Sequence, residues 1–228
     1  MSPTRVRARR GEGEKLREEI LAAVSDLLDE TNDEAAVSIR AIAERVGVTP
    51  PSIYRHFTDK DEMLSAVCAD VFTQLADGIA KAVADARTPL DALAGAGRCY
   101  VDFGLQHPEH YRLVFMRPPF KGDEVDHTDL RTALETGVIP ESHPLFSGDA
   151  LAGSQAFKAL YDLIDAVLAA VPKRRRPDVF AMTTSMWTAV HGITSLRISK
   201  PDFVWPSLDE QIAALLWPLR EALRAASV

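Results

Sequence analysis

Thr49, Ser52, Tyr54, Arg55 and His56 fall within one short stretch of the chain. Hydroxyl, phenol, imidazole and guanidinium groups share one chemistry: they bond to anionic oxygens and to the edges of nucleobases. No acidic residue lies among them, and Glu44 and Asp59 stand outside on either side. The segment that must position them, Val37 to Phe57, reads V-S-I-R-A-I-A-E-R-V-G-V-T-P-P-S-I-Y-R-H-F. Ser38 can cap a helix with Ile39, Ile42, Ala43 and Val46 facing inward, and Gly47 ends it as a C′ glycine. Thr49 is expected to cap a second, short helix. That helix opens with Pro50 and Pro51, where a missing N–H would be unpaired anyway. Ala43 is small where the two helices must cross, while Val48 and Ile53 can lock the pair onto a preceding helix. This is a helix-turn-helix pattern, whose second helix can enter the major groove of duplex DNA. Taken bare, it fits an αα-hairpin with no DNA role about equally well.

The elements around this segment are read as helices. Leu16, Ile20, Val24, Leu27 and Leu28 line one face of a first helix. Thr58 is expected to cap a fourth, with Met63, Leu64, Val67, Val71, Leu75, Ile79 and Val83 at helical spacing to about Arg87. Thr88-Pro89 opens a helix to about Gln106, and His107-Pro108 restarts the chain through Phe115. Residues 117–147 read mostly as loop, with one helix over Thr128–Gly137. Further helices are expected over Asp149–Ala170, Asp178–Ile198 and Leu208–Ala226, the last with a Ser207/Glu210 capping box. Runs of alternating β-branched residues bounded by turns do not occur, so the fold class is all-α. Residues 1–60 form an N-terminal three-helix helix-turn-helix domain. A fourth helix from about 59 links it to a helical C-terminal part over residues 61–228.

Composition bounds the function. The 228 residues include 33 Asp and Glu against 26 Lys and Arg, a formal charge of −7. That balance argues against a protein that coats nucleic acid over its whole surface but leaves room for one basic face. Cys68 and Cys99 have neither CxxC spacing nor a partner cluster, which fits a reducing compartment. Arg5, Arg7, Arg9 and Arg10 precede the first helix without an apolar run behind them, so a secretory leader is not expected. No stretch of about 18 uncharged apolar residues occurs, and the expectation is a cytoplasmic protein with no membrane partner. The N-terminal arginines suit either a solvated tail or an arm tracking phosphates. The run Lys173–Arg176, far along the chain, reads as a solvated turn.

The sequence Ile42-Ala43-Glu44-Arg45-Val46-Gly47-Val48, then Tyr54-x-His56-Phe57, then Lys60-x-x-Met63-Leu64, resembles the signature of the TetR family of transcriptional regulators. The likeness extends over roughly Leu16 to Val71. It implies an all-helical homodimer with an N-terminal DNA-binding domain and a larger C-terminal ligand-binding domain. It further implies that Arg40 touches bases or phosphate, that Thr49, Pro50, Pro51 and Ser52 begin the recognition helix, that Tyr54 and His56 grip backbone and nearby bases, and that Lys60 contacts phosphate. Pro50-Pro51 removes two side chains that could bond bases, which shifts base reading toward Arg40, Thr49, Ser52 and Arg55. A second, weaker likeness lies downstream. Trp187-Thr-Ala-Val-His191-Gly192, with Phe203-Val-Trp205 and Pro108-Glu-His-Tyr-Arg-Leu113, is similar to the subgroup whose ligand domain is named for a Trp-His-Gly motif.

Aromatic residues gather in the C-terminal part. Tyr100, Phe103, His107, Phe115, Phe157, Tyr161, Trp187 and His191 are the candidate lining of an apolar pocket with a few polar groups, although helical spacing makes each one individually a good core residue. Val190, Ile193, Ile212, Leu215, Leu216 and Leu219 on the last helices offer more apolar surface than one monomer need bury. Two such pairs about a two-fold axis would make a four-helix bundle. His107 and His110 are three apart, but no His-Cys or His-carboxylate set repeats at ligand spacing, so neither a metal nor a cofactor is expected. GxSxG, P-loop and post-strand GxGxxG patterns are absent from the sequence, which argues against an enzyme. The resulting expectation is a homodimeric repressor that binds a palindromic double-stranded operator and is released by a small apolar or aromatic effector. The alternatives are an activator or a helical adaptor without DNA.

Overall fold

The computed structural model describes residues 12–116, 131, 132, 134 and 149–226. Among the described residues the regular elements are helical throughout. They are α1 (Glu12–Thr31), α2 (Ile39–Val46), α3 (Pro50–Ile53), α4 (Lys60–Ala84), α5 (Pro89–Gln106), α6 (Pro108–Phe115), α7 (Asp149–Leu168), α8 (Val179–Ser199), α9 (Leu208–Leu215) and α10 (Trp217–Ala226). Short 3-10 turns cover Glu34–Ala36 and Lys173–Arg175. Most of the helix expected over Thr128–Gly137 lies outside the described residues; Arg131, Thr132 and Leu134 are helical.

The chain forms two compact units, each assembled from two stretches. The first takes α1 to α3, α4 as far as Val71, and α6; the second takes α4 from Phe72, α5 and α7 to α10. In the first unit Ile20, Val24 and Leu28 of α1 meet Ile42 and Ala43 of α2, Ile53 of α3, and Phe57, all buried. Met63 and Leu64 of α4 and Tyr111 and Leu113 of α6 are buried as well. Full burial of each large apolar side chain contributes about 1.5–3 kcal/mol. α4 has the length and apolar composition of a membrane span. Asp70 and Asp77 interrupt it, however, and Met63, Leu64, Val67, Val71 and Leu75 are buried in protein, as in a long core helix.

In the second unit α5 packs against α7, α8 and α9. Leu93, Ile164, Leu168, Met186, Ile212, Leu216 and Leu219 form its buried apolar cluster. Thr183 and Thr194 of α8 are fully buried, and each donates its hydroxyl proton to the carbonyl four residues back, Val179 and Val190, at 2.8 Å. An unpaired hydroxyl there would cost about 1–3 kcal/mol.

Three local expectations need correction. Thr49 stands at the N-cap of α3 in extended backbone but makes no side-chain cap bond. The next two residues are prolines without N–H, and the Ser52 N–H already goes to the Thr49 carbonyl at 2.8 Å. Asp59, rather than Thr58, caps α4: its Oδ1 accepts from the Glu62 N–H at 2.9 Å, while the Glu62 carboxylate reaches back to the Thr58 N–H at 2.6 Å. The last helix is two. It breaks at Leu216, because Pro218 has no N–H to donate into the preceding turn and its ring disfavours helical backbone just before it. The Ser38 cap, the Thr88–Asp91 pairing and the Ser207/Glu210 capping box form as their residue types require.

Candidate functional site

The turn between α2 and α3 depends on one backbone conformation. Gly47 has φ 73° and ψ 34°, the left-handed region, and its N–H bonds to carbonyls of α2. The Val48 N–H then returns to the Ala43 carbonyl at 2.9 Å. The turn swings α3 outward while Ile53 and Phe57 stay buried beneath it. α2 is also tied to α1 from outside, where Arg45 grips the Glu30 carboxylate with two bonds of 2.9 and 2.5 Å. The Arg45 bond holds the Glu30 carboxyl below the usual carboxylate range.

With α3 fixed, its polar complement faces outward. Arg40, Thr49, Pro50, Tyr54 and Arg55 are exposed, and Tyr54 keeps 55% of its surface in solvent. Ser52 and His56 are half-buried. The side chains order one another: Arg55 donates to Ser52 Oγ at 3.0 Å, and Ser52 Oγ lies 3.2 Å from Thr49 Oγ1. Lys60, half-buried at the start of α4, donates from Nζ to the Glu34 carbonyl at 2.7 Å, which points its ammonium along the 3-10 turn. All eight candidate DNA contacts therefore belong to the first unit, on α2, the N-cap of α3, α3 itself, the turn after it and the first residue of α4. The arrangement presents cationic and hydroxyl donors, suited to phosphate oxygens and base edges.

The pocket candidates divide between the units. Tyr100 of α5, Phe157 of α7 and Trp187 and His191 of α8 come together in the second. Ring centroids are 5.2 Å apart for Tyr100–His191, 4.9 Å for Trp187–His191 and 5.6 Å for Phe157–Trp187, all edge-on. Phe180, outside the candidate set, extends the row at 6.1 Å from Phe157. The Tyr100 hydroxyl lies 2.8 Å from His191 Nδ1. Burial pushes the His191 imidazole down to about 4, so the ring is neutral at pH 7. Phe103 and Tyr161, both half-buried, belong to the same unit. His107 and Phe115 instead belong to the first unit: His107 faces Asp29 of α1, and Phe115 packs on Tyr111.

The residues expected at a two-fold contact are redistributed by the structure. Ile212, Leu216 and Leu219 belong to the buried cluster of their own chain, and Val190 is 9% exposed. They are covered without a partner. Ile193 and Leu215 are half-buried. The exposed apolar side chains at this end of the sequence are Leu196, Phe203, Val204 and Trp217. Helical periodicity marks a face as apolar without saying whether the same chain or a second copy covers it. Sequence reasoning also missed Ser25 and Asp29, which stand beside His110 and His107. They lie too far from those histidines in the chain for spacing to show it.

Comparison with known proteins adds independent findings. Residues 32–67 match the family described as bacterial regulatory proteins, tetR family, and residues 93–216 match the tetracyclin repressor-like C-terminal domain. The chain is 22% identical to the uncharacterized HTH-type transcriptional regulator YobS of Bacillus subtilis, over 76% of this chain and 90% of that protein. Matches to several mycobacterial HTH-type regulators span about half of those proteins' length. A structure of a protein with unknown function from Rhodococcus sp. RHA1 superposes with a TM-score of 0.66 at 20% identity, covering 92% of this chain and 94% of that one. RolR, solved in complex with the ligand resorcinol, superposes with a TM-score of 0.58 at 18% identity, covering 96% of each chain. The C-terminal match spans more than half of the 228 residues, and the N-terminal match contains the helix-turn-helix whose donors face outward, so this chain belongs to the TetR family of DNA-binding transcriptional regulators, not to an enzyme family.

Proposed function

We propose that the protein is a homodimeric repressor that binds a palindromic operator and is released by a small aromatic effector. Residues 1–60 serve as the reading head and residues 61–228 as the ligand and dimerisation part. The observation that carries the reading is the outward set Arg40, Thr49, Ser52, Tyr54 and Arg55 on a helix-turn-helix braced by buried Ile53 and Phe57. Two such heads about a two-fold axis require half-sites about one helical turn of DNA apart, or a multiple of it. A dimer contact is supported by Gly192 of α8, where an added Cβ would meet nothing from other elements within 4 Å among the described residues. Leu196 lies one turn further along and is 50% exposed.

The effector site is assigned to the ring row Tyr100, Phe157, Trp187 and His191. Three edge-on contacts and one neutral imidazole offer aromatic walls with a hydrogen-bonding centre. Trp187 keeps 43% of its surface exposed. RolR, of the same fold, was solved with resorcinol, an aromatic diol. The Trp187-x-x-x-His191-Gly192 sequence also supports the Trp-His-Gly subgroup. The chain leaves the second unit at Gln106 and enters the first at His107, so a displacement of α5 is delivered covalently to α6. Effector and operator then oppose each other through one coupling free energy, each weakening the other by the same factor.

The test is DNase footprinting of the purified protein on the DNA flanking its own gene, with and without a panel of small aromatics that includes resorcinol. A palindromic footprint that one of the compounds removes is expected. A footprint without two-fold symmetry, or one that no compound in the panel alters, would contradict the dimer or the effector part respectively.

A further inference from the structure

His107 and His110 acquire a third neighbour only in the fold. α6 packs on α1 and brings both rings to the Asp29 carboxylate. His110 is 3% exposed. Its Nε2 is 2.7 Å from Ser25 Oγ, so that end of the ring is bonded. Its Nδ1 lies 3.0 Å from Asp29 Oδ1 and yet makes no hydrogen bond. A buried ring nitrogen without a hydrogen bond is unfavourable, and a metal ion is one group that would satisfy it. His107 Nδ1 is 3.7 Å from Asp29 Oδ2, and its ring stands at 88° to that of His110. One ligand atom from each of the three residues falls within 4.8 Å of the others.

The same three groups that can pair as ions also have the composition and spacing of a metal site. A tetrahedral ion with bonds of about 2.0–2.1 Å holds its ligand atoms about 3.3 Å apart. The observed 3.0 and 3.7 Å, one to each oxygen of the Asp29 carboxylate, lie on either side of that spacing, and small side-chain rotations would bring one oxygen within reach of both rings. Two imidazoles and one carboxylate suit zinc, nickel or cobalt, whereas calcium and magnesium call for oxygen ligands throughout. The ring nitrogen of a ligating histidine that does not touch the metal ordinarily bonds an oxygen that fixes ring orientation, and Ser25 Oγ stands in that place for His110. We propose that Asp29, His107 and His110 bind a divalent transition-metal ion of the zinc class, with Ser25 orienting His110 and a coordination position left for water. The ion ties the start of α6 to the last turns of α1. Both helices belong to the unit that carries the DNA-reading residues, and the site is separate from the ring row of the second unit.

The test uses the full-length protein stripped with a chelator and dialysed, then titrated with CoCl2 and, separately, with ZnCl2. One ion per chain is expected, with visible cobalt d–d absorption and a higher thermal midpoint on adding zinc. Asp29→Asn and His107→Gln change half-exposed side chains and should keep the helical circular dichroism of the parent. Each removes a ligand and should weaken zinc binding by about a hundredfold or more, beyond the roughly tenfold expected for loss of an outer-shell partner. Ser25→Ala should weaken it less while keeping all three ligands. Absence of metal uptake by the parent would overturn the proposal, and so would uptake that Asp29→Asn and His107→Gln both leave unchanged.

Discussion

The Tyr100 hydroxyl of α5 lies 2.8 Å from Nδ1 of His191 on α8, and the two rings meet edge-on with centroids 5.2 Å apart. The contact joins two helices of the second unit through one neutral imidazole, held near 4 by burial against an ordinary value of 6.5. In the folded chain the ring stays unprotonated down to about pH 4, while in the unfolded chain it takes up its proton near 6.5. Between those values the unfolded state binds a proton that the folded state refuses. His191 therefore lowers stability as pH falls from 6.5 toward 4, by about 1–2 kcal/mol after allowance for its partial exposure, and no further below that. Urea unfolding at pH 7 and pH 4.5 should show a smaller acid loss for His191→Gln than for the parent. Equal losses would remove His191 as the cause.

Gly47 gives a stability test with no clash in it. Among the described residues an added Cβ would meet nothing within 4 Å, so the cost of Gly47→Ala comes from the φ of 73°. That cost should be about 1–2 kcal/mol. Gly47→Asn should cost less, because Asn tolerates the left-handed region. Thermal denaturation of the three proteins checks the order; Ala and Asn losing equally would contradict it.

Much of the first unit was legible in the sequence because its signals are local. Ser38, Gly47 and the apolar set Ile42, Ala43 and Ile53 each act within a few residues of where they stand. What escaped depends on neighbours distant in the chain. Asp29 could not be joined to His107 by spacing, and the apolar periodicity of Ile212, Leu216 and Leu219 is the same whether their own chain covers them or a second copy does. The break at Leu216 was announced by Pro218 and outweighed by the long apolar pattern around it.

The dimer prediction follows from that redistribution. Leu196→Glu combined with Trp217→Glu changes exposed side chains, and should give monomers that keep their helix content but bind the operator weakly. Leu219→Glu puts a charge where the side chain is 1% exposed and should unfold the second unit instead. Sedimentation velocity with circular dichroism separates the two. A parent protein that is monomeric at micromolar concentration would contradict the two-fold arrangement.

For the effector, Trp187→Ala removes the ring between Phe157 and His191 while leaving the buried cluster around Met186 in place. The variant should fold and bind DNA like the parent but need far more effector for release. Calorimetric titration with whichever aromatic releases the parent is the check, and unchanged affinity would move the site elsewhere in the chain.

Recognition by α3 is tested most directly by fluorescence anisotropy of labelled duplex DNA from the footprinted region, titrated with the parent, Arg55→Ala, Lys60→Ala and, as a control, Arg174→Ala in the exposed turn Lys173–Arg175. Arg55→Ala should cost about 1–3 kcal/mol on the matched sequence and relax discrimination at one base-pair position. Lys60→Ala should weaken all sequences alike and flatten the slope of log affinity against log salt by about 0.9 for each phosphate that is no longer neutralised. Arg174→Ala should match the parent throughout. Arg55→Ala and Lys60→Ala binding as tightly, and with the same salt slope, as Arg174→Ala would contradict the assignment of this helix-turn-helix as the DNA-reading surface.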